Sequence, residues 1–211
     1  MDITPLVILL VVAGQIEVIR CHGYMFEPPA RSSMWRQNIA GAVVNYNDNG
    51  LFCGGFGVLW TVNNGKCGIC GDRWDSLPRD NEAGGKFAKG IIGRRYTAGS
   101  SVAVKINLTA NHKGYFEFRL CENNDVTRPA SHECFDQHIL KMADGRTRYD
   151  LTAGTGVKVV QVSLPAGVRC QQCILQWKYN TGNFWGCDAS GCGLGRGRQE
   201  QYYNCADIAI V

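Results

Sequence analysis

Apolar and polar residues alternate with a period of two along four stretches of this chain: residues 101–109 (SVAVKINLT), 115–120 (YFEFRL), 157–164 (VKVVQVSL) and 173–179 (CILQWKY). Successive side chains of a strand point to opposite faces, so this pattern predicts strands with one buried and one wetter side. The closing stretch, 201–211 (QYYNCADIAIV), alternates again and is rich in aromatic and β-branched residues. Glycine, Asn and Asp punctuate the runs. Only residues 31–43 read as helical, with Ser32 or Ser33 as the cap. Two polar, glycine-rich segments, 71–93 and 179–198, interrupt the strand pattern. Connections that long in a compact domain usually carry function. The elements together predict an all-β architecture, an immunoglobulin/fibronectin-III-like antiparallel β-sandwich with long disulfide-stapled loops and a short helix.

The N-terminus carries a different signal. Residues 6–13 (LVILLVVA) form an apolar run too short to cross a bilayer and suited to the core of a secretory leader. The leader is read as residues 1–21, cut between Cys21 and His22, which leaves 22–211 as one domain; a cut after Gly14 is the alternative. Cysteine parity favours the later cut. The chain has Cys 11, and losing Cys21 leaves ten that can pair fully. A secreted, extracellular protein with a disulfide framework is expected, built from Cys53, Cys67, Cys70, Cys121, Cys134, Cys170, Cys173, Cys187, Cys192 and Cys205. The two C-x-x-C pairs, Cys67/Cys70 and Cys170/Cys173, lie too far apart for a zinc ribbon and are read as bonding to other cysteines.

Composition narrows the partners. A net charge of +4 is mild, and no basic run interleaved with aromatics points to nucleic acid. No second apolar stretch approaches eighteen residues, so no membrane anchor is expected. The glycines of 191–197 (GCGLGRG) lack the strand–turn–helix setting of a phosphate loop.

Candidate chemistry rests on histidine. If His22 becomes the first residue, its free α-amine and its imidazole form a chelating pair. His112 stands at the loop end of the 101–109 strand, where a ligand can reach the sandwich edge. One amine and two imidazoles suit the tetragonal nitrogen coordination of Cu(II), whereas zinc would want a tetrahedron. His132 and His138 show no ligand spacing and are read as structural or surface residues.

Three separated motifs extend this reading. The stretch His22-Gly23-Tyr24-Met25-Phe26-Glu27-Pro28-Pro29-Ala30-Arg31 resembles the start of mature lytic polysaccharide monooxygenases and of related chitin-binding type-4 domains. Leu108-Thr109-Ala110-Asn111-His112 resembles their second-histidine motif, and Gln199-Glu200-Gln201-Tyr202-Tyr203-Asn204-Cys205-Ala206-Asp207-Ile208 resembles their last strand. The CGGF, CGICGD and CADI elements look most like auxiliary activity family fifteen, the animal and arthropod type. The resemblance implies a secreted copper enzyme, one copper per chain, that cleaves chitin, or in some members cellulose, by oxidation at C1 with dioxygen or hydrogen peroxide and an external reductant. It implies His22 and His112 as metal ligands, Tyr202 as the axial residue with Tyr203 its rival, and Ala110 shaping the opposite axial side. A monomer acting on an insoluble polysaccharide is expected, with no nucleic acid or membrane partner. Tyr24 is the candidate substrate contact, while Glu27 and Arg31 are read as stabilising the first loop. Asn107-Leu108-Thr109 is a glycosylation sequon near His112. A non-catalytic chitin-binding or glycan-binding module and a copper-handling protein are the alternatives.

Overall fold

The structure, a computed structural model, describes residues 22–211 and, of His22, the backbone alone. The expected leader, residues 1–21, lies outside the described residues. Two sheets form a sandwich. One has the order β1-β3-β7-β5, from β1 (His22–Glu27), β3 (Ser101–Ala110), β5 (Lys141–Met142) and β7 (Gly156–Ser163). The other has the order β2-β11-β8-β4-β6, from β2 (Arg94–Tyr96), β4 (Tyr115–Glu122), β6 (Arg148–Asp150), β8 (Cys170–Asn180) and β11 (Gln201–Ile210). Every pairing is antiparallel except that of β2 with β11, which is parallel. A separate hairpin, β9 (Trp185–Asp188) with β10 (Gly191–Leu194), projects between β8 and β11. The expected all-β sandwich is therefore present, and the five runs of alternation are five of its strands.

The core lies between the inner faces. Val102, Val104, Ile106 and Leu108 of β3 meet Phe116, Phe118 and Leu120 of β4 and Leu175, Trp177 and Tyr179 of β8 in one buried cluster. Through it runs a row of rings. Phe52 stacks on Tyr202 at 5.9 Å, Tyr202 lies tilted against Tyr179 at 5.9 Å and Tyr179 stacks on Trp177 at 6.1 Å, with Phe116 edge-on to both Tyr179 and Trp177. Nearly every position of β11 is buried, on both faces. Its outer face is covered by the 53–70 segment, where Tyr203 packs with Cys53, Leu59 and Cys67, and Cys205 packs with Ile69 and Cys70.

Five disulfides use all ten expected cysteines: Cys53–Cys67, Cys70–Cys205, Cys121–Cys134, Cys170–Cys173 and Cys187–Cys192. One C-x-x-C pair departs from expectation, because Cys170 and Cys173 bond to each other rather than to distant partners. The helix expected over 31–43 is also corrected. Only a 3-10 turn, Met34–Gln37, forms there, and Asn38 ends it in the left-handed region at φ 54°. Ser33 caps nothing, since its hydroxyl donates to the Met25 carbonyl at 2.7 Å. The neighbouring Arg31 is sequestered beneath the sheet. Its guanidinium donates to both Asp207 oxygens, at 2.7 and 2.6 Å, and to the Asn81 carbonyl at 2.9 Å. Glu27 takes a paired contact from Arg94, 2.7 Å on each oxygen. Both residues thus hold the first loop, as the sequence reading assigned. No helix among the described residues is long and apolar enough to cross a membrane.

Candidate metal centre

The register of β1 on β3 brings the two histidine segments together. His22 lies opposite Ala110, the last residue of β3, and a bulge separates it from the Gly23–Leu108 pair. Ala110 in turn is two residues before His112. Both segments therefore end at one edge of the sandwich.

His112 is held from three directions. Its backbone N–H donates to the hydroxyl of Tyr179 at 3.0 Å, and that hydroxyl donates on to the Lys113 carbonyl at 2.8 Å. Its carbonyl accepts the N–H of Gly182 at 2.9 Å. Its ring Nδ1 lies 3.1 Å from the side-chain amide of Asn183. Two glycines permit this closeness. At Gly114, with φ +81°, a Cβ would fall 2.0 Å from the Asn180 carbonyl oxygen, and at Gly182 a Cβ would fall 2.8 Å from the Gly114 nitrogen. The loops after β3 and after β8 thereby pack backbone to backbone.

Strand alternation separates the two tyrosines of β11. Tyr202 faces the sandwich interior at its end near His112, 1% exposed, with its hydroxyl 3.2 Å from a Glu200 carboxylate oxygen. Tyr203 faces the opposite side, where its hydroxyl donates to Gln201 at 2.8 Å and burial pushes its ionisation well above the ordinary phenol range. Of the pair, Tyr202 is the one on the interior side with Tyr179. Ala110 is half-buried and leaves the strand end without a bulky side chain.

Tyr24 is corrected as an exposed substrate contact. Only 8% of it is accessible, because the Arg36 guanidinium lies 4.9 Å over its ring and its hydroxyl accepts from Asn107 at 3.0 Å. The same contact engages the sequon's side-chain amide within a strand that is paired on both sides. His132 bonds the Cys67 carbonyl at 2.8 Å and His138 lies 3.3 Å from Glu122, so both are structural, as expected. Sequence reasoning missed Tyr179, Asn183 and Glu200. It also missed the exposed pair Trp185 and Leu194, which face each other across the hairpin that follows Asn183, 71% and 67% accessible. The length and glycine content of the 179–198 segment were the signal that pointed there.

The donor set fits a nitrogen-loving metal. Among the described residues no cluster of three or more His, Cys, Asp or Glu side chains forms a metal cage. What remains at this edge is an imidazole held from behind and the start of β1. Nitrogen donors with few protein ligands favour copper over the oxygen-rich or thiolate sites of other metals.

The comparisons agree with this geometry. Residues 22–208 match the family described as lytic polysaccharide mono-oxygenase, cellulose-degrading. A solved structure, the lytic polysaccharide monooxygenase AA15 from Thermobia domestica in the Cu(I) state, is 48% identical, with a TM-score of 0.86 over 90% of this chain and 98% of that one. No match was found among curated proteins. With the match running from the first strand into the last, this chain belongs to the lytic polysaccharide mono-oxygenase family.

Proposed function

We propose that this protein is a secreted copper monooxygenase that oxidises an insoluble polysaccharide, chitin in the first place, at C1, and that His22 and His112 hold one copper. The observation that supports it is the pairing of His22 with Ala110, which sets the start of β1 beside the loop that carries His112. Cleavage before His22, leaving residues 22–211 as the single mature domain, would free the amine needed as the third nitrogen. Bound copper supplies one-electron chemistry with an external reductant and dioxygen or hydrogen peroxide. The protein's part is positional. Tyr202, fixed between the Phe52 and Tyr179 rings, would be the tyrosine available to the copper. Ala110, opposite His22, would leave the approach to the copper clear of a bulky side chain.

The surroundings suit a polymer that cannot enter a cavity. His112 is half-buried at the edge, Asn183 is exposed, and Trp185 and Leu194 present an apolar patch on the hairpin beside them. Aromatic and aliphatic side chains of this kind cover the apolar faces of sugar rings. Trp185 replaces Tyr24 as the substrate contact.

The test is the protein secreted from a eukaryotic host, its N-terminus read by mass spectrometry, with its His112→Ala variant. A chain beginning at His22 should bind one copper and release oxidised oligosaccharides from chitin when reductant is supplied; His112→Ala should lose both. Turnover retained by His112→Ala would overturn the assignment. Tight copper binding without products from chitin or cellulose would make it a copper-handling protein.

A further inference from the structure

We propose that Asn183 is a positioning residue that engages Nδ1 of His112, fixing the ring and so leaving Nε2 as the nitrogen that meets the metal. This rests on the reading above that His112 is a metal ligand. The contact is direct, 3.1 Å from Nδ2 of Asn183 to Nδ1 of His112, and the amide turned end for end would present Oδ1 at the same place. A neutral imidazole carries its proton on one nitrogen and offers the lone pair of the other. When Nε2 ligates, Nδ1 holds the proton and needs an acceptor. Asparagine provides one by turning its amide so that Oδ1 faces the ring; with Nδ2 facing the ring it donates to a bare Nδ1 instead. The side chain therefore serves both tautomers, while aspartate would serve only the Nδ1–H form and leucine neither. Partners of this kind fix ring orientation and tune ligand basicity.

The backbone around Asn183 is built for the task. Gly182 on one side is tied to the carbonyl of His112 itself, at 2.9 Å. Phe184 on the other side is gripped by the fully buried Gln199, whose amide accepts from the Phe184 N–H at 3.0 Å and donates to the Phe184 carbonyl at 3.0 Å. The Phe184 ring stacks on Phe56 at 4.4 Å with 11° between planes. A loop residue anchored on both sides, with its own side chain exposed, holds its amide in place at little cost to folding.

The test compares the full secreted chain with Asn183→Leu, Asn183→Asp and His112→Ala. Copper is titrated, Cu(II) electron paramagnetic resonance is recorded, and the ring nitrogens of His112 are observed by 15N NMR in the metal-free protein. Asn183→Leu should bind Cu(II) about 10–100-fold more weakly with altered spectral parameters, while its thermal midpoint stays that of the parent. Asn183→Asp should restore the affinity and move the metal-free ring toward the Nδ1–H tautomer. If Asn183→Leu keeps the parental affinity and spectrum while His112→Ala loses copper, the positioning role is overturned and the metal assignment stands. If His112→Ala itself keeps copper, both fall. An identical ring tautomer in the parent, Asn183→Leu and Asn183→Asp also overturns the positioning role.

Discussion

Replacing Arg31 with methionine should be one of the most damaging single changes in this protein, and the structure gives its size. Arg31 and Asp207 are 2% and 1% exposed at their side chains. The carboxylate takes two bonds from the guanidinium and one from the Gln172 amide at 2.6 Å. Arg31→Met leaves that carboxylate buried with the amide alone. Removing one partner of a buried pair costs about 3–5 kcal/mol, because the remaining charge stays desolvated. At roughly 2–4 °C per kcal/mol for a chain of this size, the midpoint should fall by about 6–20 °C. The double variant Arg31→Met, Asp207→Leu should recover most of the loss, since a well-packed apolar pair can equal a buried ion pair. Guanidinium unfolding with disulfides intact, followed by calorimetry, measures both. The Arg31 backbone also donates to the Cys205 carbonyl at 2.7 Å, which ties the loop after β1 to β11. Methionine keeps that N–H, so the single variant should lose the ion pair while this tie remains. A loss under about 1 kcal/mol for the single variant, or a double variant as unstable as the single, would refute the reasoning.

Tyr179→Phe keeps the ring packing but strips the hydroxyl that joins the His112 N–H to the Lys113 carbonyl; it should lower stability by about 1 kcal/mol and weaken copper binding, and parental values in a thermal melt and a copper titration would refute it. The disulfides should contribute unequally. Cys70–Cys205, with 135 residues of separation, should stabilise by about 5 kcal/mol, against about 2 kcal/mol for Cys170–Cys173, separated by three. Paired Cys→Ser variants compared by denaturant unfolding check the ranking, and an equal loss for both would contradict it.

The sandwich strands were legible because their pattern is local. Residues 101–109 alternate since the outer face of β3 stays wet, and the strand formed there. β1 was not read as a strand because HGYMFE follows an apolar run and is too short to show its own period. The 31–43 segment misled for a tertiary reason. Arg31, Ser32 and Ser33 read as a helix start, yet Arg31 is drawn to Asp207 and Ser33 to Met25, so the backbone has no helix to cap. The site divided the same way. Motif and alternation singled out His112, Ala110 and Tyr202 as candidates, and the structure gathers their segments at one edge. Asn183 and Tyr179 were not singled out, because each contact joins residues 66 to 71 positions apart. Tyr24 failed as a surface residue because its cover, Arg36, lies in the turn that was mistaken for a helix.

The row of rings from Phe52 to Trp177 gives the molecule an optical identity. Tyr202, Tyr179 and Trp177 are rigid, close and inclined to one another, so their near-ultraviolet transitions couple and yield circular dichroism bands that freely rotating rings would lack. Loosened packing erases such bands while leaving the far-ultraviolet spectrum of the sheets intact. Because Tyr202 stands within the row, between Phe52 and Tyr179, its seat can be followed in solution without a label, from the ellipticity of the unmodified chain.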